Sequence, residues 1–207
     1  MVADPRDLLR PGLLSGVNVA TAGAGGPPTG SVAAAVSAGA VALGAAVAHV
    51  PLISSSEAED DEAATESALA AAVAELGGPL DALVVDAASL FPSGGGREAM
   101  IACIAASWNA VRATAQAAFL GGEPGGRVVL LAPVAAVDDH AAAAVAGLEN
   151  MARTLSIEWA RHQVTTVAVA PGAAAATADL AALSCYLLSP AGAYFSGCLL
   201  DLRGVRS

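Results

Sequence analysis

Short apolar runs alternating with Ala-rich stretches of helical length constrain this chain more than any other feature, because a strand followed repeatedly by a helix folds as βα units on a parallel sheet. Gly16–Thr21 (GVNVAT) reads as a first strand, followed by the Gly/Pro turn Ala22–Gly30 and a buried helix from Ser31 to about Gly39. Val41–Ile53 holds one or two short strand-like pieces, and a helix running to about Leu76 follows it. Leu80–Asp86 (LDALVVD) is a clear strand, Arg97–Phe119 a long helix, and Arg127–Leu131 (RVVLL) the next strand. His140–Arg161 then reads as a helix, Val164–Val169 as a strand ending at Pro171-Gly172, Thr177–Leu188 as a helix and Gly197–Leu202 as a final strand.

No repeat and no linker divides the 207 residues, so one domain, 1–207, is expected. With 56% hydrophobic but only 3% aromatic residues, the core must be built from Ala, Val and Leu, which suits helices packed closely on a sheet. A formal charge of -10 argues against nucleic acid or an anionic membrane surface as partner. Ser31–Ile53 would be flagged by a hydropathy window, yet it is mostly Ala and Gly and Pro51 interrupts it, so a buried helix running into a buried strand is the better reading. Met1–Arg10 mixes acids and bases before Pro11, unlike a signal peptide. Cys103, Cys185 and Cys198 are odd in number and lack CxxC spacing, which favours free thiols in a cytoplasmic protein over disulfides or zinc.

Two stretches could be mistaken for sites. Ser54–Ser56 with the acidic run Glu57–Glu62 is a helix start, Ser56 and Glu59 having capping-box spacing, rather than a metal site. The Asp138-Asp139-His140 string likewise opens a helix and reads as a cap. All nine basic residues are arginine, so a Schiff base, a phosphate-loop lysine and a lysine-tuned acid or base are absent from the chemistry.

The order of elements and several strings resemble the short-chain dehydrogenase/reductase (SDR) family over about Leu13–Gly204. They are GRVVLLAPVAAV (126–137), AGLENMARTLSIEWA (146–160), VAVAPG (167–172) and ADLAALSCYLLSPAGAYFSGCLLDLRG (178–204). The resemblance implies an α/β fold: a single doubly wound Rossmann-like domain with a mostly parallel sheet. Gly39–Ser54 is too short for the usual strand, helix and strand, so the region of the second and third strands is expected to be trimmed by one βα unit.

Active members use Ser, Tyr and Lys, with Tyr and Lys four apart, plus an Asn; the Tyr is the acid/base and the Lys lowers its pKa. Laying the family's YxxxKAGLE string on this sequence puts the Tyr position at Ala141 and the Lys position at Val145. The serine position falls at Ala132 or Pro133, and the Asn position near Ala105 or Ala106, with Asn109 recoverable by a shift. No catalytic residue is therefore expected.

The cofactor turn keeps Gly23, Gly25, Gly26 and Gly30, but Pro27 and Pro28 fall where a middle glycine would lie and lack the N–H that cradles phosphate. Val41–Ala48 offers no acid or base to the adenosine ribose, and the family's NNAG is Val85-Asp86-Ala87-Ala88. The turn Gly23, Gly25, Gly30 is thus expected not to function, and NAD or NADP to sit on a catalytic partner. The family associates through the segments corresponding to helices 97–119 and 140–161 and segment 177–202, which are the best preserved parts. Three readings follow: a non-catalytic subunit pairing with an intact SDR homologue, a stand-alone binding or regulatory module, and an enzyme with replacement residues drawn from Asp86, Ser89, Asp138, Asp139 and His140. His49 and His162 read as structural.

Overall fold

A computed structural model describes residues 8–25, 31–54, 58–91, 95–121 and 125–204, and within them the alternation resolves into one six-stranded parallel sheet. Strand β1 (Asn18–Ala24) begins after Gly16, whose φ of 80° turns the chain. It continues past Thr21 because Ala22, Gly23 and Ala24 pair with Val50, Pro51 and Leu52. Helix α1 (Val32–Ala42) is capped by Ser31, whose hydroxyl accepts from the Ala34 N–H. Val41–Ile53 contributes one strand, β2 (Ala46–Leu52), and the helix after it, α2 (Ala58–Leu76), ends at the residue expected. Ser56, the cap of the expected box, lies outside the described residues.

Strand β3 (Ala82–Asp86) leads through a short 3-10 turn and loop to helix α3 (Arg97–Thr114). The expected helix 97–119 is continuous, but its last turn, Ala115–Phe119, widens to π geometry. Strand β4 (Gly126–Leu131), helix α4 (Asp139–Glu158), strand β5 (Val164–Ala170), helix α5 (Thr177–Leu188) and strand β6 (Cys198–Asp201) complete the chain. Helix α4 stops short of the expected Arg161, the remainder tightening into a 3-10 turn at Ala160–His162.

The strand order is β2-β1-β3-β4-β5-β6. Only β2 and α2 separate α1 from β3, so this edge of the sheet is one βα unit short, as expected. Period-two alternation sends Ala20, Ala22, Leu83, Val85, Val128 and Leu130 to a core shared with α2, α3 and α4. Val19, Val84, Val129, Leu131, Val167 and Val169 face α1 and α5 on the other side. Between α3 and α4, Gly147 lets the helices approach until a Cβ there would lie 2.8 Å from Ile104 Cδ1. Arg112 on α3 pairs with Glu62 and Glu66 on α2. No described helix is long and apolar enough to cross a membrane.

The π turn leaves one exception to polar satisfaction: the Thr114 hydroxyl is fully buried and has no hydrogen-bond partner. A desolvated, unpaired hydroxyl costs free energy that a methyl does not. Thr114→Val is therefore expected to raise stability by about 1 kcal/mol in urea unfolding; a loss of that size would mean that the hydroxyl has a partner.

Candidate functional site

In a doubly wound sheet, ligands lie outside the carboxyl ends of the strands where strand order reverses. Here that switch point lies between β1 and β3, at Ala24 and Asp86. The backbone groups around it are taken by the chain's own side chains. Asp86 Oδ2 accepts from the Ala33 N–H of α1 at 3.0 Å. Ser31 accepts from the next amide, Ala34, at 3.0 Å. Ser89 Oγ accepts from the Ala24 N–H at 2.8 Å and donates to the Asp86 carbonyl at 2.5 Å. His49 Nε2 lies 3.0 Å from the Gly25 carbonyl.

A helix N-terminus attracts negative charge through its free N–H groups and dipole. At α1 this place is filled by Asp86, which is 2% exposed. Burial pushes its carboxyl above the ordinary carboxylate pKa, and the N–H groups of Ala33 and Ser89 oppose that shift without cancelling it. Because the folded pKa is raised, the folded chain binds the proton more tightly than the unfolded chain. The stability tied to this group is fully present below the unfolded pKa and is lost as pH rises through the folded one. Asp86→Asn keeps an acceptor for Ala33 and removes the titration. Its stability relative to wild type is expected to grow as pH rises from the acidic range to neutrality; a difference independent of pH in denaturant unfolding would contradict this.

The glycines of the turn divide. Gly25 has a φ of 72°, which favours glycine. A Cβ on Gly23 would make only ordinary contacts, 3.5 Å to Ala33 Cβ and 3.7 Å to Ser89 Oγ. Gly26, Pro27, Pro28 and Gly30 lie outside the described residues. The adenosine-ribose position needs a correction: β2 ends at Leu52, beyond Val41–Ala48, and neither Ile53 nor Ser54 after it is an acid or base.

The Asp138 group serves the helix starts. Its Oδ1 accepts from the Ala141 N–H at 2.7 Å, capping α4, and its Oδ2 accepts from the Gly96 N–H at 3.0 Å, tying down the start of α3. The Ala141 N–H, ahead of Gly96 and the nearby His140, holds the Asp138 carboxyl below its usual pKa. Asp139 and His140 are exposed on the first turn of α4. No hydrogen bond or ion pair among the described residues joins this group to Asp86 or Ser89. His162, half-buried in the 3-10 turn after α4, accepts at Nε2 from Arg161 Nε.

Beside the switch point, the carboxyl ends of β4 and β5 enclose a pocket of about 170 Å³ walled by Val32, Leu131, Val134, Val169, Pro171 and Leu180, with Thr177 at its rim. Pockets for drug-sized ligands run to roughly 300–1,000 Å³. Among the described residues, no group of His, Cys, Asp and Glu could hold a metal ion. Burial pushes the Cys103 and Cys185 thiols up to about 12.

No protein-family model and no curated protein matches the chain. Solved structures do. A short-chain dehydrogenase from Mycobacterium smegmatis aligns with a TM-score of 0.75 and 22% identity over 100% of this chain and 99% of that one. The citronellol catabolism dehydrogenase of Pseudomonas aeruginosa aligns at 0.73 and 23% identity, covering 96% and 98% of the two chains. A short-chain dehydrogenase/reductase from Serratia marcescens gives 0.69 and 21%, covering 91% and 96%. The fold is that of the short-chain dehydrogenases/reductases.

On this SDR fold, the positions that the sequence resemblance assigns to the Tyr, Lys and Ser are apolar and buried. Ala141, at the Tyr position, is 0% exposed and Val145, at the Lys position, 3%. Ala132 and Pro133, the two candidates for the Ser position, are buried at the end of β4, where the Ala132 N–H donates to the Val169 carbonyl. At the Asn position, Ala106 is buried, Ala105 exposed and Asn109 half-buried on α3. The Asp86 bridge to α1 was not legible from the sequence. Its partners lie 53 residues apart, and the only hint was an acid in place of an amide in the NNAG-like string.

Proposed function

We propose that this chain is a non-catalytic SDR-fold subunit that associates with a catalytically intact short-chain dehydrogenase to form a heteromeric NAD(P)-dependent oxidoreductase. The observation that carries the reading is the pair Ala141 and Val145: neither side chain can transfer a proton or tune one, and both are buried in the domain's own core.

The cofactor follows the same logic. Asp86 puts a carboxyl group where a dinucleotide would present its pyrophosphate, the adjacent pocket of about 170 Å³ is small, and Pro27 and Pro28 offer no N–H. These residues do not fit a nicotinamide dinucleotide, which belongs on the partner. For the contact itself, α3 exposes Ile101 (50%) and Trp108 (40%), α4 exposes Ile157 (78%), and the closing segment exposes Tyr194 (91%). Large apolar and aromatic side chains left to water on these elements, like Val41 on α1, suit an interface.

Native mass spectrometry of the tagged protein isolated from its source cells tests the reading. A mixed oligomer with a second dehydrogenase bearing the missing Tyr and Lys is expected. A homo-oligomer alone would replace the subunit reading with that of a ligand-binding module, and saturable NAD(P)H binding by the isolated chain would overturn the cofactor assignment.

A further inference from the structure

The opposite end of the sheet carries a feature that the subunit reading does not use. Where β3, β4 and β5 begin, a cleft of about 1030 Å³ opens between Val73 of α2, the π turn at Ala117 and Ala118, and the end of α4. Arg127, the second residue of β4, lines it. Its Nε is buried and has no hydrogen-bond partner, one of two such buried side-chain atoms among the described residues. A buried donor without a partner is rare enough in folded proteins to call for an explanation.

The charge pattern sharpens the point. With 19 acidic against 9 basic residues, carboxylates are plentiful, and Arg112, Arg153 and Arg203 pair with them. Among the described residues Arg10, Arg97, Arg127 and Arg161 form no such pair, and of these four Arg127 alone has a buried, partnerless Nε. The carboxylate closest along its strand neighbours, Asp81, is engaged elsewhere, accepting from the Asn18 N–H at 2.7 Å, and it meets Arg127 only through the backbone. A half-buried guanidinium in a roomy cleft is left with free donors.

We propose that this cleft binds an organic carboxylate, the carboxyl group held by Arg127 and the hydrocarbon body lying along Val73, Leu80, Ala117 and Val164. A planar guanidinium fork matches a carboxylate in two parallel hydrogen bonds. Asp81 in the same wall repels a phosphate dianion more strongly than a carboxylate monoanion. The apolar wall gives the ligand's body a place out of water. The site lies away from the switch point, so it stands whether or not the chain pairs with a dehydrogenase.

Calorimetric titration with hexanoate, with hexanol as the uncharged counterpart, tests this on the full-length chain. Saturable hexanoate binding is expected, with hexanol much weaker. Arg127→Gln should weaken hexanoate roughly ten- to a hundredfold, the worth of a hydrogen bond to a charged group. Arg153→Gln, on the exposed side of α4, should leave it unchanged. Should Arg127→Gln fail to fold, Arg127→Lys keeps the charge without the fork and is expected to bind with intermediate affinity. No saturable binding of hexanoate by the wild-type chain, equal binding of hexanol, or an Arg127 variant that binds like wild type would each overturn the assignment.

Discussion

A double variant, Ala141→Tyr with Val145→Lys, is expected to unfold well below the wild-type temperature and to show no dehydrogenase activity. On paper it places Tyr and Lys where the sequence resemblance puts those residues of an active SDR. In the fold it forces a phenol and an ammonium into positions 0% and 3% exposed. Val145 belongs to the same apolar cluster as Cys103, Leu130 and Leu148. Overpacking and an unpaired buried cation together cost on the order of 3–5 kcal/mol. Thermal unfolding with an NAD(P)H-linked carbonyl assay checks this. A variant that melts like wild type and turns over substrate would mean that the site lacks only two side chains, and the subunit reading would fall.

Phe119→Ala is expected to cost about 3–5 kcal/mol, lowering Tm by roughly 2–4 °C for each kcal/mol. In a core of Ala, Val and Leu, Phe119 is the largest fully buried side chain. The π turn delivers its ring over Gly126, where a Cβ would come within 2.5 Å of the ring. Ring and glycine are thus one packing unit. Gly126→Ala should be strongly destabilising in the wild-type chain and much less so after Phe119→Ala, a coupling measurable by a double-mutant cycle. Additive effects would show that the π turn has another purpose.

The fold was largely legible because buried parallel strands and their helices have opposite periodicities. Leu80–Asp86 and Arg127–Leu131 stand out as runs of large apolar residues, and Thr177–Leu188 was read to the residue. Errors fall where the residues carry little signal. Gly23-Ala24 joins β1 only through pairing with β2, which no local propensity announces. The π turn at Ala115–Phe119 sets the Phe119 ring over Gly126 of β4, a contact with a separate strand that the helix sequence does not announce. The candidate positions Ala141 and Val145 were placed by the string around Gly147. Their burial did not follow, since period alone does not say which face of an Ala-rich helix is covered. Nor did the bridge from Asp86 to Ala33, which depends on two segments meeting at the switch point.

The trimmed βα unit has a consequence for solubility. Its loss makes β2 the last strand on that side of the sheet, and a bare parallel edge is a template onto which another extended chain can be laid. Pro51 lies within β2, opposite Gly23 of β1. A proline has no N–H, and a strand tolerates it only where the missing donor points away from its neighbour. The outward row of donors is therefore broken at Pro51, and runaway strand addition, the route to aggregates, is interrupted at the rim that the shortened fold created.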